Sequence, residues 1–357
     1  MNTRKRAREY GINIGTMKPG KYNAITDVPG IRVGHVTINN NTNGCARTGV
    51  TAIIPHNDIY NHKCAAAIHV QNGYGKAMGL AQVEELGVIE TPIMLTNTLN
   101  IGKVADGLIS YMVENNEGLR SVNPFVAECN DGKLNEIEKR FVNQEHVLEA
   151  LNIAKTGEVD EGCVGGGTGM VAFGYKGGIG TASRLLEAEG KEYHVGALVQ
   201  ANFGKREHLT IDGIPVGRII DKDSKELDGS GSIVILVATD APFDSRQLKR
   251  IARRGAMGLA RTGSIATHGS GDFIIALSNT RTYDKTLKGE ALVNTMVGDG
   301  ATMSKFFAAT VEAVEEAIIN AVFKAVDTLG RDECFIEALP IEKALKIITD
   351  YKYQFTK

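Results

Sequence analysis

Asp228-Gly229-Ser230-Gly231-Ser232, running straight into Ile233-Val234-Ile235-Leu236-Val237-Ala238, sets a hydroxyl at the mouth of a strand that is apolar on both faces. A strand with no polar face needs cover on each side, so this stretch predicts a layered architecture with a serine at the entrance of a buried strand. The two spaced glycines allow backbone geometry that residues with side chains avoid, and the peptide bond entering Ser232 can then be held distorted and open to attack. Attack of the Ser232 Oγ on the Gly231 carbonyl turns the amide into an ester, and hydrolysis leaves Ser232 as a new N-terminus. An α-amino group has a pKa of about 8, against about 10.4 for lysine, so part of it is neutral at neutral pH and can act as a base. Read alone, the pentapeptide is an ordinary flexible loop feeding a core strand, and the rest of the chain has to decide between the two.

Composition narrows the choice. The 357 residues are 43% hydrophobic and 23% charged, enough to bury one large core or two modest ones. A net charge of -2 argues against nucleic acid as a partner, because polyanion binders carry a basic excess on one face. A small-molecule or peptide substrate is expected instead. Met1-Asn2-Thr3-Arg4-Lys5-Arg6-Ala7-Arg8 is basic, yet no apolar segment of a signal peptide follows it, and no apolar run approaches the roughly 18 residues that cross a bilayer. The five cysteines, at 45, 64, 129, 163 and 334, are widely spaced without a Cys-x-x-Cys pair, and the eight histidines show no ligand spacing. These features predict a cytoplasmic protein without metal, cofactor or membrane contact.

Strands are predicted at Thr51 to Pro55, Ala66 to Val70, Pro92 to Thr96, Met170 to Phe173, His194 to Gln200, Ser232 to Thr239 and Phe273 to Ser278. Asp244 or Ser245 caps a helix with Leu248, Ile251, Ala252, Gly255 and Leu259 on one side and Lys249, Arg250, Arg253 and Arg254 on the other, solvated side. A longer helix is predicted from about Met303 to Leu329, stopped by Gly330 and suited to an outer layer. The 41 glycines cluster at Gly162 to Gly169 and at Gly177 to Gly180. Neither cluster has the Gly-x-x-x-x-Gly-Lys-Ser/Thr pattern of a phosphate loop, nor does the first have dinucleotide-fold spacing, so close backbone approach is the expected role. No serine sits in Gly-x-Ser-x-Gly, which excludes a hydrolase nucleophile elbow on pattern.

Several segments share one resemblance. Gly231-Ser232-Ile233 to Ala238-Thr239-Asp240-Ala241-Pro242, Gly269-Ser270-Gly271-Asp272, Val199-Gln200-Ala201-Asn202-Phe203-Gly204 and Lys176-Gly177-Gly178-Ile179-Gly180-Thr181-Ala182-Ser183-Arg184 are similar to the DmpA-like L-aminopeptidase/D-esterase family. So are Ile25-Thr26-Asp27-Val28-Pro29-Gly30-Ile31-Arg32-Val33-Gly34-His35 and Val126-Ala127-Glu128-Cys129-Asn130-Asp131-Gly132, in order along most of the chain. That family is self-processing and includes β-peptidyl aminopeptidases.

The resemblance implies an α+β fold, a four-layer αββα sandwich like that of N-terminal-nucleophile hydrolases with a different strand connectivity. It implies cleavage between Gly231 and Ser232 into residues 1–231 and 232–357, which stay together as one domain, and assembly into a homo-oligomer such as a tetramer of the processed pair. By carry-over, Ser232 is the nucleophile and Asn202 the oxyanion donor, while Glu128 holds the substrate's free ammonium group and Asn130 lies beside the substrate. Ser270 and Asp272, two apart on an extended segment, point to the same side and suit a hydroxyl and a carboxylate acting together on Ser232. Whether the Ser232 amine or the Ser270 chain removes the nucleophile's proton stays open. His268 is an extra candidate base in principle and is read as a neighbouring loop residue. Some relatives have an aromatic residue in place of Asn130, which leaves the side-chain preference open, and some have a glutamate in place of Asp272, so that the acid here is a methylene shorter and the relay's geometry is open; the substrate's stereochemistry is not read from the sequence. The expected activity is hydrolysis of aminoacyl amides, esters or short peptides through an acyl-enzyme. The alternatives are an ornithine-acetyltransferase-like acyltransferase, which uses threonine where Ser232 stands, and a nucleotide-binding protein using the Gly165 to Gly169 loop.

Overall fold

The computed structural model describes residues 4–220, 231–297 and 300–355. Asp228, Gly229 and Ser230 of the opening pentapeptide therefore lie outside the described residues, whereas Gly231 and Ser232 are within them.

The strand that opens on Ser232, β12 (Ser232–Thr239), is buried along its whole length. It sits inside a six-stranded sheet in the order β10 (Gly178–Ala188), β11 (Lys191–Asn202), β12, β13 (Gly271–Asp284), β3 (His62–Gly73), β5 (Val88–Ile89). A five-stranded sheet runs β1 (Arg32–Asn40), β2 (Ala46–Ile54), β6 (Ile93–Asn97), β7 (Phe125–Cys129), β4 (Ala77–Met78). Two small hairpins, β8 (Val171–Ala172) with β9 (Tyr175–Lys176) and β14 (Thr328–Leu329) with β15 (Phe335–Ile336), complete the strands.

Alternation along β12 builds the layers. Val234, Leu236 and Ala238 pack with Ile53, Leu95 and Phe125 of the other sheet, while Ile233, Ile235 and Val237 pack with Leu248 and Ile251 of α5 (Ser245–Arg261) and Phe306 and Val314 of α6 (Gly300–Lys324). A third apolar layer joins Val50, Ala52 and Met94 of the five-stranded sheet to α2 (Ile101–Asn115) and α3 (Gln144–Asn152) through Val104, Leu108 and Val147. The result is helices, sheet, sheet, helices: the αββα sandwich. Full burial of one valine, leucine or isoleucine side chain contributes about 1.5–3 kcal/mol, so a strand with five such residues is a major source of cohesion between three layers. Of the remaining helices, α1 (Leu80–Leu86) adds Val83 to the core between the sheets, and α4 (Val216–Ile220) and α7 (Ile341–Phe355), packed against each other, add Val216, Ala344 and Ile348 to the core beneath α5 and α6.

The helix caps and glycines follow local chemistry. Asp244 accepts the Gln247 N–H at 2.7 Å while the Gln247 Oε1 accepts the Asp244 N–H at 3.0 Å, a reciprocal cap that fixes where α5 begins. On the basic side of α5, Arg250 and Arg254 lie over the Phe307 ring rather than pointing freely into solvent. In β10 a Cβ at Gly180 would lie 1.9 Å from the Ala317 carbonyl oxygen of α6, so this glycine lets the helix rest directly on the sheet. The Gly165–Gly167 turn is buried against β2 and Gln200, which leaves it no surface for a phosphate.

Three expectations need correction. The late helix ends at Lys324, not Leu329: its final carbonyl packs on Gly162, Val326 is partly exposed, and Thr328–Leu329 leave to pair with Phe335–Ile336. Gly330 is not its stop; a Cβ there would strike the Leu134 Cα at 2.5 Å. The strand expected at Met170 to Phe173 shrinks to Val171–Ala172 because Phe173 turns at φ 52°.

Candidate active site

The backbone register around Ser232 assembles a site from three adjoining strands. Asn202, the last residue of β11, stands opposite Ser232, and Gly271, the first residue of β13, stands beside it in parallel register. A Cβ on Gly231 would lie 2.0 Å from the Asn202 carbonyl oxygen, so only glycine can precede the serine here. The Gly231 carbonyl accepts the Gly271 N–H at 3.2 Å. The bond between Gly231 and Ser232 is thus flanked on one side by the Asn202 strand end and on the other by the Ser270–Asp272 segment.

Ser270 and Asp272 are both buried, and the Ser270 hydroxyl donates to the Asp272 Oδ2 at 2.5 Å, as their spacing predicts. Burial holds the Asp272 carboxyl above the ordinary carboxylate range, with the Ser270 hydroxyl and the Ile233 N–H pulling the other way. No hydrogen bond joins the Ser232 hydroxyl to this pair among the described residues. His268 is exposed and takes part through its main-chain carbonyl only, which supports its reading as a loop residue.

Asn202 is oriented from both ends. Its Oδ1 accepts the Val171 N–H at 2.9 Å and its Nδ2 donates to the Asn130 carbonyl at 3.0 Å, which leaves one amide hydrogen for a ligand. Val171 follows a turn gripped by the Lys176 ammonium, which is fully buried and donates to the carbonyls of Met170 at 2.7 Å, Gly177 at 3.0 Å and Gly167 at 3.3 Å. Burial lowers the Lys176 pKa. Asn130 contributes its backbone to Asn202, while its side chain folds onto the Gly132 N–H at 2.9 Å.

The cleft here is about 740 Å³, lined by Ser232, Gly231, Asn202, Glu128, Asn130, Lys76, Thr98, Lys133 and Gly73 to Gly75, among others. Glu128 is only 3% exposed; its Oε1 accepts the Lys76 N–H at 3.0 Å and its Oε2 accepts the Thr98 hydroxyl, so the carboxylate is fixed facing the cleft. It is a buried, oriented anion rather than the solvated surface group that glutamate usually is.

Four contributors were not found from sequence. Asn72, opposite Asp272 in the sheet, donates to the Ser270 carbonyl at 2.6 Å and the Thr267 carbonyl at 2.8 Å and so clamps the turn that delivers Ser270. Gly75 passes so close to Gly271 that a Cβ on Gly271 would be 2.8 Å from its Cα. Thr98 orients Glu128, and Lys176 braces Asn202 indirectly. The only signal available was Gly73-Tyr74-Gly75 after a predicted strand, a pattern that marks close backbone approach.

A layered α+β body with a serine opening a central strand, and a fixed anion in the adjoining cleft, defines a serine-type hydrolase on a variant of the N-terminal-nucleophile hydrolase fold. The chain belongs to peptidase family S58, whose model matches residues 23–335. It is 39% identical over 370 residues to the β-peptidyl aminopeptidase BapA of Sphingosinicella microcystinivorans, covering 97% of this chain and 92% of that protein. A solved protein of Pyrococcus horikoshii OT3 superposes with a TM-score of 0.93 at 49% identity, covering 98% of this chain and 99% of that one. The L-aminopeptidase D-Ala-esterase/amidase of Ochrobactrum anthropi, described as a prototype of the serine aminopeptidases and a variant among the Ntn hydrolase fold, gives 0.90 at 36% identity, over 97% and 99%. The chain is accordingly a serine-type aminopeptidase.

Proposed function

We propose that the Ser232 Oγ attacks the Gly231 carbonyl carbon, that the Gly231–Ser232 C–N bond breaks with the proton passing to the new amine, and that water hydrolyses the resulting ester. The two pieces, 1–231 and 232–357, remain one domain because strands on both sides of the cut share one sheet. The freed Ser232 is then the nucleophile toward substrate. Asn202 donates to the oxyanion, Glu128 binds the substrate's terminal ammonium, Asn130 borders the acyl group, and Ser270 with Asp272 carries the proton. An acyl-enzyme forms on Ser232 and water releases the acid. The observation that carries this reading is the placement of the Gly231–Ser232 junction between Asn202 and Gly271, with the Gly231 carbonyl already bonded to a main-chain N–H. Mass measurement under denaturing conditions, beside release of p-nitroaniline from an aminoacyl p-nitroanilide, tests it; an active, uninterrupted chain refutes it.

The substrates are peptides, aminoacyl amides or esters with a free amino terminus. Relatives named β-peptidyl aminopeptidases extend the proposal to β-amino acids. All five cysteines are free, which suits a reducing compartment, and we place the protein in the cytoplasm. Among the described residues no helix is long and apolar enough to cross a membrane. Self-association into a tetramer of processed pairs is proposed as well. The apolar residues of α6 are consumed inside the fold, whereas Leu287, Leu292 and Val297, between β13 and α6, are largely exposed. Light scattering that reports a single 38.3 kDa unit would refute the assembly.

The raised pKa of Asp272 fixes the sign of one pH effect. The carboxylate accepts the Ser270 proton only when ionised, so kcat/KM falls on acidification through a pKa higher than that of an ordinary aspartate. If the Ser232 amine is the base, a second limb appears, rising with pH through about 8. Asp272→Asn removes the acid limb and leaves the other in place; an unchanged acid limb in this variant removes Asp272 from the relay.

A further inference from the structure

Among the described residues, the cleft contains an unmatched positive charge. Its lining residues include one carboxylate, Glu128, and two ammonium groups, Lys76 and Lys133. Lys76 Nζ lies 3.8 Å from the Glu128 Oε1, so those two partly offset each other. Lys133 is exposed to the cleft and has neither a hydrogen bond nor an ion pair among the described residues.

The backbone that presents Lys133 is built to hold still. Asp131, Leu134 and Asn135 around it are all fully buried. The Asp131 carbonyl accepts the N–H groups of Leu134 and Asn135 at 3.0 Å each, and its Oδ1 accepts the Asn135 Nδ2 at 3.0 Å. A tight turn fixed from below thus raises a single lysine into the cleft.

Lys133 lines the same cleft as Glu128, Ser232 and Asn202. Glu128 precedes and Lys133 follows Asn130, whose carbonyl holds the oxyanion donor Asn202. A ligand with its ammonium at Glu128 and its reacting carbonyl between Ser232 and Asn202 shares the cleft with Lys133.

We propose that Lys133 binds a carboxylate on the leaving side of the scissile amide, so that the preferred substrates are dipeptides with a free C-terminus. This rests on the aminopeptidase reading of the cleft. Such a zwitterion complements both ends: its ammonium meets Glu128 and its carboxylate meets Lys133, the cation without a partner among the described residues. The C-terminal carboxylate of a dipeptide lies one residue beyond the scissile bond, within the sweep of a four-carbon side chain. Longer peptides carry that charge past the turn.

The test compares a dipeptide with its C-terminal amide, in the processed wild type and in Lys133→Met and Lys133→Arg. The wild type is expected to favour the free acid by about fivefold in kcat/KM, the upper range for a solvent-screened ion pair, through KM and not kcat. Lys133→Met brings the ratio to one, Lys133→Arg keeps it, and added salt shrinks it in the wild type. A wild-type ratio of one, or a ratio that survives Lys133→Met, overturns the subsite while hydrolysis of the amide leaves the aminopeptidase reading standing. Failure of the wild type to cleave either compound overturns both.

Discussion

Ser232→Ala is expected to yield one full-length polypeptide without peptidase activity, whereas the wild type separates into two fragments under denaturing conditions. Removing this oxygen deletes the nucleophile of both proposed reactions and little else. Ser232 is 7% exposed and alanine fits its space, while the burial of Ile233 to Ala238 on both faces of β12 is untouched. The folded state should therefore persist, with stability changed by no more than about 0.5–1 kcal/mol. Peptidase turnover should fall by about 10⁵-fold or more, the loss typical of deleting a nucleophile whose partners cannot act alone. The two readouts distinguish cause from consequence. A chain that is cleaved despite Ser232→Ala assigns the cut to another protease, and an uncut chain that retains activity separates catalysis from processing. Either result ends the proposal that one hydroxyl performs both steps.

Legibility of this fold in the sequence depended on how locally each element is specified. β12 was readable because six successive apolar residues, Ile233 to Ala238, demand cover on both faces, and α5 because Asp244 and Gln247 form a cap within one turn. β10 was not, since Gly178, Gly180, Ser183 and Arg184 give it no strand signature; it is held by α6 packing on Gly180 and by Arg184 paired with Glu312 and Glu316. The end of α6 escaped prediction for the same reason: apolar spacing continues to Val326, but contacts with Gly162 and the β14–β15 hairpin decide where the chain leaves. The site divides likewise. Ser270 and Asp272 are two apart and their contact follows from strand geometry, whereas Asn202 and Glu128 entered only through resemblance. Asn72, Thr98 and Lys176 act through partners 195, 30 and 6 residues away along the chain, which periodicity and spacing do not register.

Asn202 carries the second large effect, and its geometry allows the donor to be tested apart from the scaffold. Asn202→Ala removes the proposed oxyanion donor together with two anchors, the bonds to Val171 and Asn130. Loss of one such donor costs about 3–4 kcal/mol of transition-state stabilisation, or roughly 10²–10³ in kcat. Asn202→Asp is the sharper probe. Its carboxylate still accepts the Val171 N–H and so keeps one of the two anchors, but it loses the bond to the Asn130 carbonyl, has no N–H to offer and places a negative charge where the oxyanion develops. It is therefore expected to be at least as inactive as the alanine variant, with kcat and kcat/KM falling together because the interaction exists only in the transition state. Maturation should slow in both, since Asn202 faces Ser232 across the register and the Gly231 carbonyl must pass through the same kind of anionic intermediate. A thermal transition that stays near wild type in Asn202→Asp, combined with this loss, assigns the effect to chemistry. A kcat within threefold of wild type in that variant removes Asn202 from the oxyanion site and leaves main-chain donors such as the Gly271 N–H to carry the charge.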